Sequence, residues 1–188
     1  MYNSIELNYS FDETSSFLNE KTMDIHFNIL YKGYLNRLNK ALLENNYDFE
    51  YSLEELVNHI DEFPLKSRDD ILFNLGGVIN HERYFLSLTP NQKKLSGKLL
   101  DKINETYGTF DNFKKIFIEK ALTLVGSGYT NLVLDKNNNL NIINTSNQEL
   151  PDFYGFRVLI SLDLWEHAYY LTYYQDKTEY INRFFNFL

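Results

Sequence analysis

The chain contains no cysteine, three prolines and one tryptophan among 188 residues. Without cysteine there are no disulfides and no thiolate metal site, so a packed core must hold the fold. No apolar run approaches the roughly 18 residues that a membrane helix needs, and no membrane span is expected. Basic residues are in deficit: 18 Lys and Arg face 26 Asp and Glu, a net charge of −8. That balance argues against nucleic acid or an anionic membrane as the main partner. The amino-terminal stretch MYNSIELNYSFDETSSF is acidic where a secretory signal would be basic and then apolar, so a cytoplasmic protein is expected.

What the chain does have is apolar and aromatic mass, 44% and 16% of its residues, enough for a globular core in one domain or two small lobes. Apolar residues recur at helical spacing from about Phe17 to Leu43, with Ile25, Ile29, Leu30, Tyr34, Leu35, Leu38 and Leu42 expected on the inward stripe. Ser52 opens a second helix, with Glu55 placed to complete a capping box. A helix over about 68–87 follows Pro64 and contains Gly76-Gly77, which propensity alone does not favour; close packing of another element explains the pair better. Thr89-Pro90 predicts a stop and a restart, with Pro90 in the first turn. Helices are then expected over about 92–106 and 111–125. Beyond them the period falls from 3.6 to 2. GYTNLVL, the turn DKNNN and LNIINTS read as a β-hairpin, and FRVLISLDLW as a third β-rich run. Helices over about 166–174 and 179–187 finish the chain. Helices first and a small antiparallel sheet later is an α+β layout, divided here into 1–89 and 90–188.

Histidine is scarce, with four in the chain. His26, His81 and His167 lie on strongly apolar elements, whereas His59, among acidic neighbours in SLEELVNHIDEF, reads as a solvated helix residue. A lone histidine on an apolar face is usually a core residue bonded to a carbonyl. Three of them with Asp163, four residues before His167, are also an N/O donor set suited to Fe or Mn, and zinc would accept it too.

The stretch DLWEHAYY, residues 163–170, resembles the D-x-W-E-H-A-Y-Y signature of the iron/manganese superoxide dismutase family. TMDIHFNILYKGYLNRLNKAL resembles that family's first helix, NLGGVINHERYFLSLTP its second ligand helix, and YGTFDNFKKIFIEKAL with GSGYTNLVL a later helix and strand. INTSNQELP resembles a strand-end loop, so the likeness is collinear from about residue 8 to 185. It implies an N-terminal long helical hairpin followed by a C-terminal α/β lobe with a three-stranded antiparallel sheet.

The resemblance also implies roles. His26, His81, Asp163 and His167 match the protein ligands of one Mn or Fe ion, with water or hydroxide in a fifth position. Tyr34 matches a gateway tyrosine, and Gln148 a glutamine that bonds both that tyrosine and the bound solvent. Trp165 matches an aromatic wall of the pocket, and Tyr129 falls among the residues around it. Glu166 and Tyr170 match residues of a homodimer interface, the glutamate reaching a ligand histidine of the partner; a tetramer is the alternative assembly. The substrate implied is superoxide, disproportionated to oxygen and hydrogen peroxide by one-electron cycling of the metal. Gly77 and Gln148 occupy the two places from which the family's glutamine comes, in the arrangement usual for Mn; packing alone would also account for the glycines.

Several positions depart from the family pattern. The first helix has His26-Phe27, Leu30-Tyr31 and Tyr34 where the family has H-H-x-x-H-H-x-x-Y. Leu30 thus replaces the histidine that would bond the gateway tyrosine and reach across the dimer. Tyr129, Asn131 and Phe85 stand where tryptophans are common. Lys177 stands for a channel arginine and keeps a charge without a bidentate fork; it and Lys32 are the candidates to guide an anion, Lys32 reading better as a surface residue. A metal-binding or structural paralogue with little activity is the alternative reading. A di-iron carboxylate bundle fails for want of paired Glu-x-x-His motifs.

Overall fold

The computed structural model describes residues 1–90 and 95–188. Helix α1 (Glu20–Asp24) opens on Asn19, whose side chain accepts the Thr22 N–H at 2.8 Å. It runs without a break through a π-helical stretch (Ile25–Tyr31) into α2 (Lys32–Glu44). The short α3 (Leu53–Leu56) begins with the expected capping box, Ser52 and Glu55 each bonding the other's backbone N–H, and continues as a 3-10 turn (Val57–Glu62). The long α4 (Leu65–Ser87) packs against α2 on one side and the later sheet on the other. Helices α5 (Gly97–Tyr107) and α6 (Phe110–Leu122) lead to the sheet, and α7 (Glu166–Tyr173) and α8 (Lys177–Phe184) follow it.

Strands β1 (Gly128–Leu134), β2 (Leu140–Ser146) and β3 (Arg157–Asp163) form an antiparallel sheet in the order β2-β1-β3. The fold is therefore helical at the N-terminal side, then α/β with a three-stranded antiparallel sheet, as the sequence pattern and the resemblance imply. At the β1–β2 turn, the Asp135 carboxylate accepts the N–H groups of Asn137 and Asn139, each at 2.8 Å, while Asn138 takes φ 62°. Asparagine tolerates that left-handed conformation better than most residues. In the β1–β3 register Tyr129 lies opposite Asp163 and Asn131 opposite Ser161, so these four side chains share the sheet face toward α4.

The first helix differs from its predicted stripe. It starts at Glu20 rather than Phe17, and Ile29, expected inward, is 62% exposed. The π-helical stretch supplies the reason. A π turn bonds i to i+5 and rotates less per residue than an α turn. His26, Phe27, Tyr31 and Tyr34 consequently share the buried side, and Ile29 is carried outward. Within the helix expected over about 92–106, Leu95 and Ser96 have non-helical backbone and α5 opens after them. The start expected at Gln92 lies outside the described residues. The last helix begins two residues earlier than its pattern, because the Asp176 carboxylate accepts the Glu179 N–H at 2.9 Å and caps it there.

Candidate metal centre

Four elements converge on one point. The π-helical stretch brings His26, α4 brings His81, the end of β3 brings Asp163 and the first turn of α7 brings His167. One ligand-type atom from each lies within 4.8 Å of the other three. His26, His81 and Asp163 are fully buried, and the His167 side chain keeps 21% exposure, which makes its side the open one.

Each side chain is oriented by a neighbour. His81 Nδ1 lies 2.5 Å from the Gly77 carbonyl one helical turn earlier and donates to it, leaving Nε2 as a lone-pair acceptor toward the centre. Asp163 Oδ1 accepts the Trp165 N–H at 2.8 Å, which fixes the turn into α7 and directs Oδ2 inward. The Asp163 carbonyl accepts from the Tyr180 hydroxyl at 2.9 Å, and Tyr180 is bonded in turn to Tyr84 at 3.1 Å. His26 is held by packing: Tyr84 stacks on it at 5.2 Å, and Phe85 meets it edge-on at 4.9 Å.

The inward atoms are unsatisfied. His26 Nε2 and His167 Nε2 approach Asp163 Oδ2 to 3.2 and 3.5 Å, yet neither contact is aligned as a hydrogen bond. Among the described residues these three atoms and His81 Nε2 have no hydrogen-bond partner. A buried polar atom left unpaired costs about 1–3 kcal/mol, so four together need a common partner. Burial lowers the His26 imidazole and takes His81 down to about 3. Burial alone would raise the Asp163 carboxyl, but His167 and His26 beside it outweigh that and hold it well below the usual carboxylate range. Near neutral pH the pocket therefore presents two neutral imidazoles and a carboxylate anion among its donors, the protonation state in which such groups bind a cation. The donor set fits a mononuclear metal ion.

The family model for iron/manganese superoxide dismutases, alpha-hairpin domain, matches residues 1–89, and that for iron/manganese superoxide dismutases, C-terminal domain, matches residues 95–188. The chain belongs to the iron/manganese superoxide dismutase family.

The other residues singled out by that resemblance fall into three groups. Tyr34 and Gln148 meet at the pocket: the Gln148 amide Nε2 donates to the Tyr34 hydroxyl at 3.3 Å, and the Tyr34 ring centroid lies 5.3 Å from that of His81. Gly76 and Gly77 make room for this pair. A Cβ on Gly76 would stand 2.0 Å from the Gln148 carbonyl oxygen, and one on Gly77 2.3 Å from the Tyr34 ring. Trp165 borders the open side, its ring 5.6 Å from that of His167 and its indole N–H donating to the Asn147 carbonyl at 3.2 Å. Lys177 faces a cavity of about 510 Å³ that also touches Trp165, Glu166 and His167, and its Nζ donates to the Leu124 carbonyl at 3.4 Å.

Glu166 and Tyr170 lie on the surface and Leu30 is half-buried. Lys32 stays away from the centre, bonded to Asn28 Oδ1 at 2.7 Å and set over the Phe27 ring. His59 is partly exposed, stacks on Tyr51 at 3.8 Å and contacts Glu62, apart from the metal pocket. Three features were not read from the sequence: the Asn80 amide donating to Gln148 Oε1 at 3.4 Å, the Tyr84–Tyr180 hydroxyl pair, and the π-helical stretch. Only Asn80 left a signal there, as the residue immediately before a histidine in the motif around N-H.

Proposed function

We propose that this chain is a superoxide dismutase that holds one Mn or Fe ion, Mn favoured, through His26, His81, Asp163 and His167. The observation that carries the reading is the convergence of four buried, unpaired donor atoms in a chain of this family. A redox metal supplies one-electron exchange, so that two superoxide ions and two protons become one oxygen and one hydrogen peroxide.

The chain's own groups supply position and protons. The three histidines and Asp163 fix the metal; Tyr34 and Gln148 place a hydrogen-bonded phenol and amide beside it, where they orient solvent and pass protons. Tyr84 and Phe85 pack on His26 and close the helical side of the pocket, while Trp165 borders its open side beside His167. Gly77 and Gln148 support Mn, because a side chain at position 77 would collide with Tyr34 while Gln148 already fills the adjoining place. In this reading the enzyme is a homodimer, or a tetramer built from it, with Glu166 and Tyr170 on the interface, and Lys177 guides the anion. The division at residues 89/90 separates the part carrying His26 and His81 from that carrying Asp163 and His167.

Metal analysis and a superoxide assay on protein purified from Mn- and Fe-supplemented growth test the proposal. About one redox metal per chain, with activity that disappears on chelation and returns with Mn, is expected. Protein that is fully metal-loaded and inactive overturns it in favour of a metal-binding paralogue.

A further inference from the structure

One buried hydroxyl at the site has no task in the mechanism above. Tyr129 is the cross-strand partner of Asp163, so the two side chains leave the same face of the sheet as neighbours. Its ring is fully buried, with its centroid 6.4 Å from that of His81 and nearly perpendicular to it. Among the described residues its Oη has no hydrogen-bond partner, and neither has Asp163 Oδ2. An ordinary phenol keeps its proton near neutral pH, so this hydroxyl is a donor, and the Asp163 carboxylate is its cross-strand neighbour. Phenylalanine would fill the same space without a polar atom to satisfy, so packing does not account for the hydroxyl.

We propose that Tyr129 is a positioning residue of the metal site, its hydroxyl donating a hydrogen bond to the Asp163 carboxylate and drawing charge away from that ligand. The inference rests on the reading of this pocket as a redox metal centre. Asp163 Oδ1 already accepts the Trp165 N–H. A second donor weakens the carboxylate as an electron donor, and a weaker anionic ligand favours the reduced metal over the oxidised one. Tyr129 would therefore raise the reduction potential of the site without touching substrate.

Tyr129→Phe tests this in the metal-loaded enzyme, by metal content and by redox titration followed through the absorbance of the oxidised metal. Full metal loading is expected, with the ratio of oxidised to reduced metal at a fixed ambient potential raised about tenfold, equivalent to about 59 mV for one electron. A fully loaded variant whose ratio stays within twofold of wild type overturns the inference. If Tyr129→Phe does not load, Tyr129→Trp decides: it keeps an aromatic N–H donor, so wild-type loading supports the donor role and failure to load overturns it. Wild-type protein that takes up no redox metal would sink the metal-centre reading itself, an outcome distinct from a loaded but unresponsive variant.

Discussion

His26 and His81 reach the centre from the π-helical stretch and the long α4, 55 residues apart in the chain, whereas Asp163 and His167 reach it from a strand end and the helix after it, four residues apart. The helical side is placed by shape: rings of Tyr84 and Phe85 pack on His26, and two glycines let Tyr34 and Gln148 close on α4. The strand side is placed by hydrogen bonds to Asp163, from the Trp165 N–H and the Tyr180 hydroxyl. Shape tolerates no added atom, while a hydrogen-bonded turn tolerates the loss of one bond. Substitutions should therefore cost more on the helical side.

The largest effect is expected from Gly76→Ala. Its Cβ would stand 2.0 Å from a backbone oxygen of Gln148, an atom that cannot rotate away. Overpacking of this kind costs about 3 kcal/mol, or roughly 6–12 °C in Tm for a chain of this size. Thermal unfolding checks this, and a drop below about 2 °C would show that the segment around Gln148 yields freely and that shape does not fix this side.

The helical side also holds a carboxyl with little to compensate its charge. Burial raises Glu82 to about 7, although the Tyr31 hydroxyl donates to it at 2.8 Å. The folded state then binds more protons than the unfolded state between pH 4.5 and 7, so this group's contribution to stability falls as pH rises through that window. His81 has the opposite sign: taken down to about 3 by burial, it binds fewer protons folded than unfolded, and its contribution falls as pH drops from 6.5 toward 3. Glu82→Gln removes the first slope and keeps the second. Relative to wild type, the variant should gain roughly 2 kcal/mol between pH 5 and pH 7 in urea unfolding of metal-free protein. A difference that stays flat with pH would show that Glu82 ionises freely in the folded state.

The strand side was the more legible in the sequence. DLWEHAYY is one contiguous pattern, and a strand end followed directly by a helix brings Asp163 and His167 together by local geometry alone. The hairpin GYTNLVL–DKNNN–LNIINTS was legible for the same reason, since alternation and an Asn-rich turn are local signals. His26 and His81 stood out by residue type and family likeness, but their meeting depends on how α4 crosses α2, which no short window encodes. The outward turn of Ile29 escaped periodicity because periodicity assumes one residue angle along the helix, and the π-helical stretch has another. The Tyr84–Tyr180 bond joins residues 96 apart and carries no local trace at all.

Tyr180→Phe probes the strand side with a smaller expected effect. It removes the hydroxyl from the Asp163 carbonyl and from Tyr84 while keeping the ring that stacks on Phe17 at 5.3 Å. A net loss of about 1 kcal/mol is expected. Because Tyr84 loses its partner in the same step, Tyr84→Phe should add less than its own single-variant cost in the double variant, by about 0.5 kcal/mol or more. Additive costs in denaturant unfolding would show that the two hydroxyls act independently.

The smallest effect should leave stability alone and alter only the encounter with substrate. Lys177 is half-buried at the cavity beside His167, where burial lowers its ammonium somewhat and the Leu124 carbonyl holds it. With an overall charge of −8, the protein repels an anion at long range, so a local cation at the open side of the pocket matters more than the total. Lys177→Glu reverses that charge without reaching the buried side of the pocket. The superoxide rate should fall several-fold at low ionic strength, and the deficit should shrink as salt approaches about 0.15 M, where the screening length is about 8 Å. Unfolding midpoints should match wild type within about 0.5 kcal/mol, the usual range for a surface change. An unchanged rate at low salt would mean that the approach to His167 is governed by the uncharged wall of Trp165 and not by Lys177.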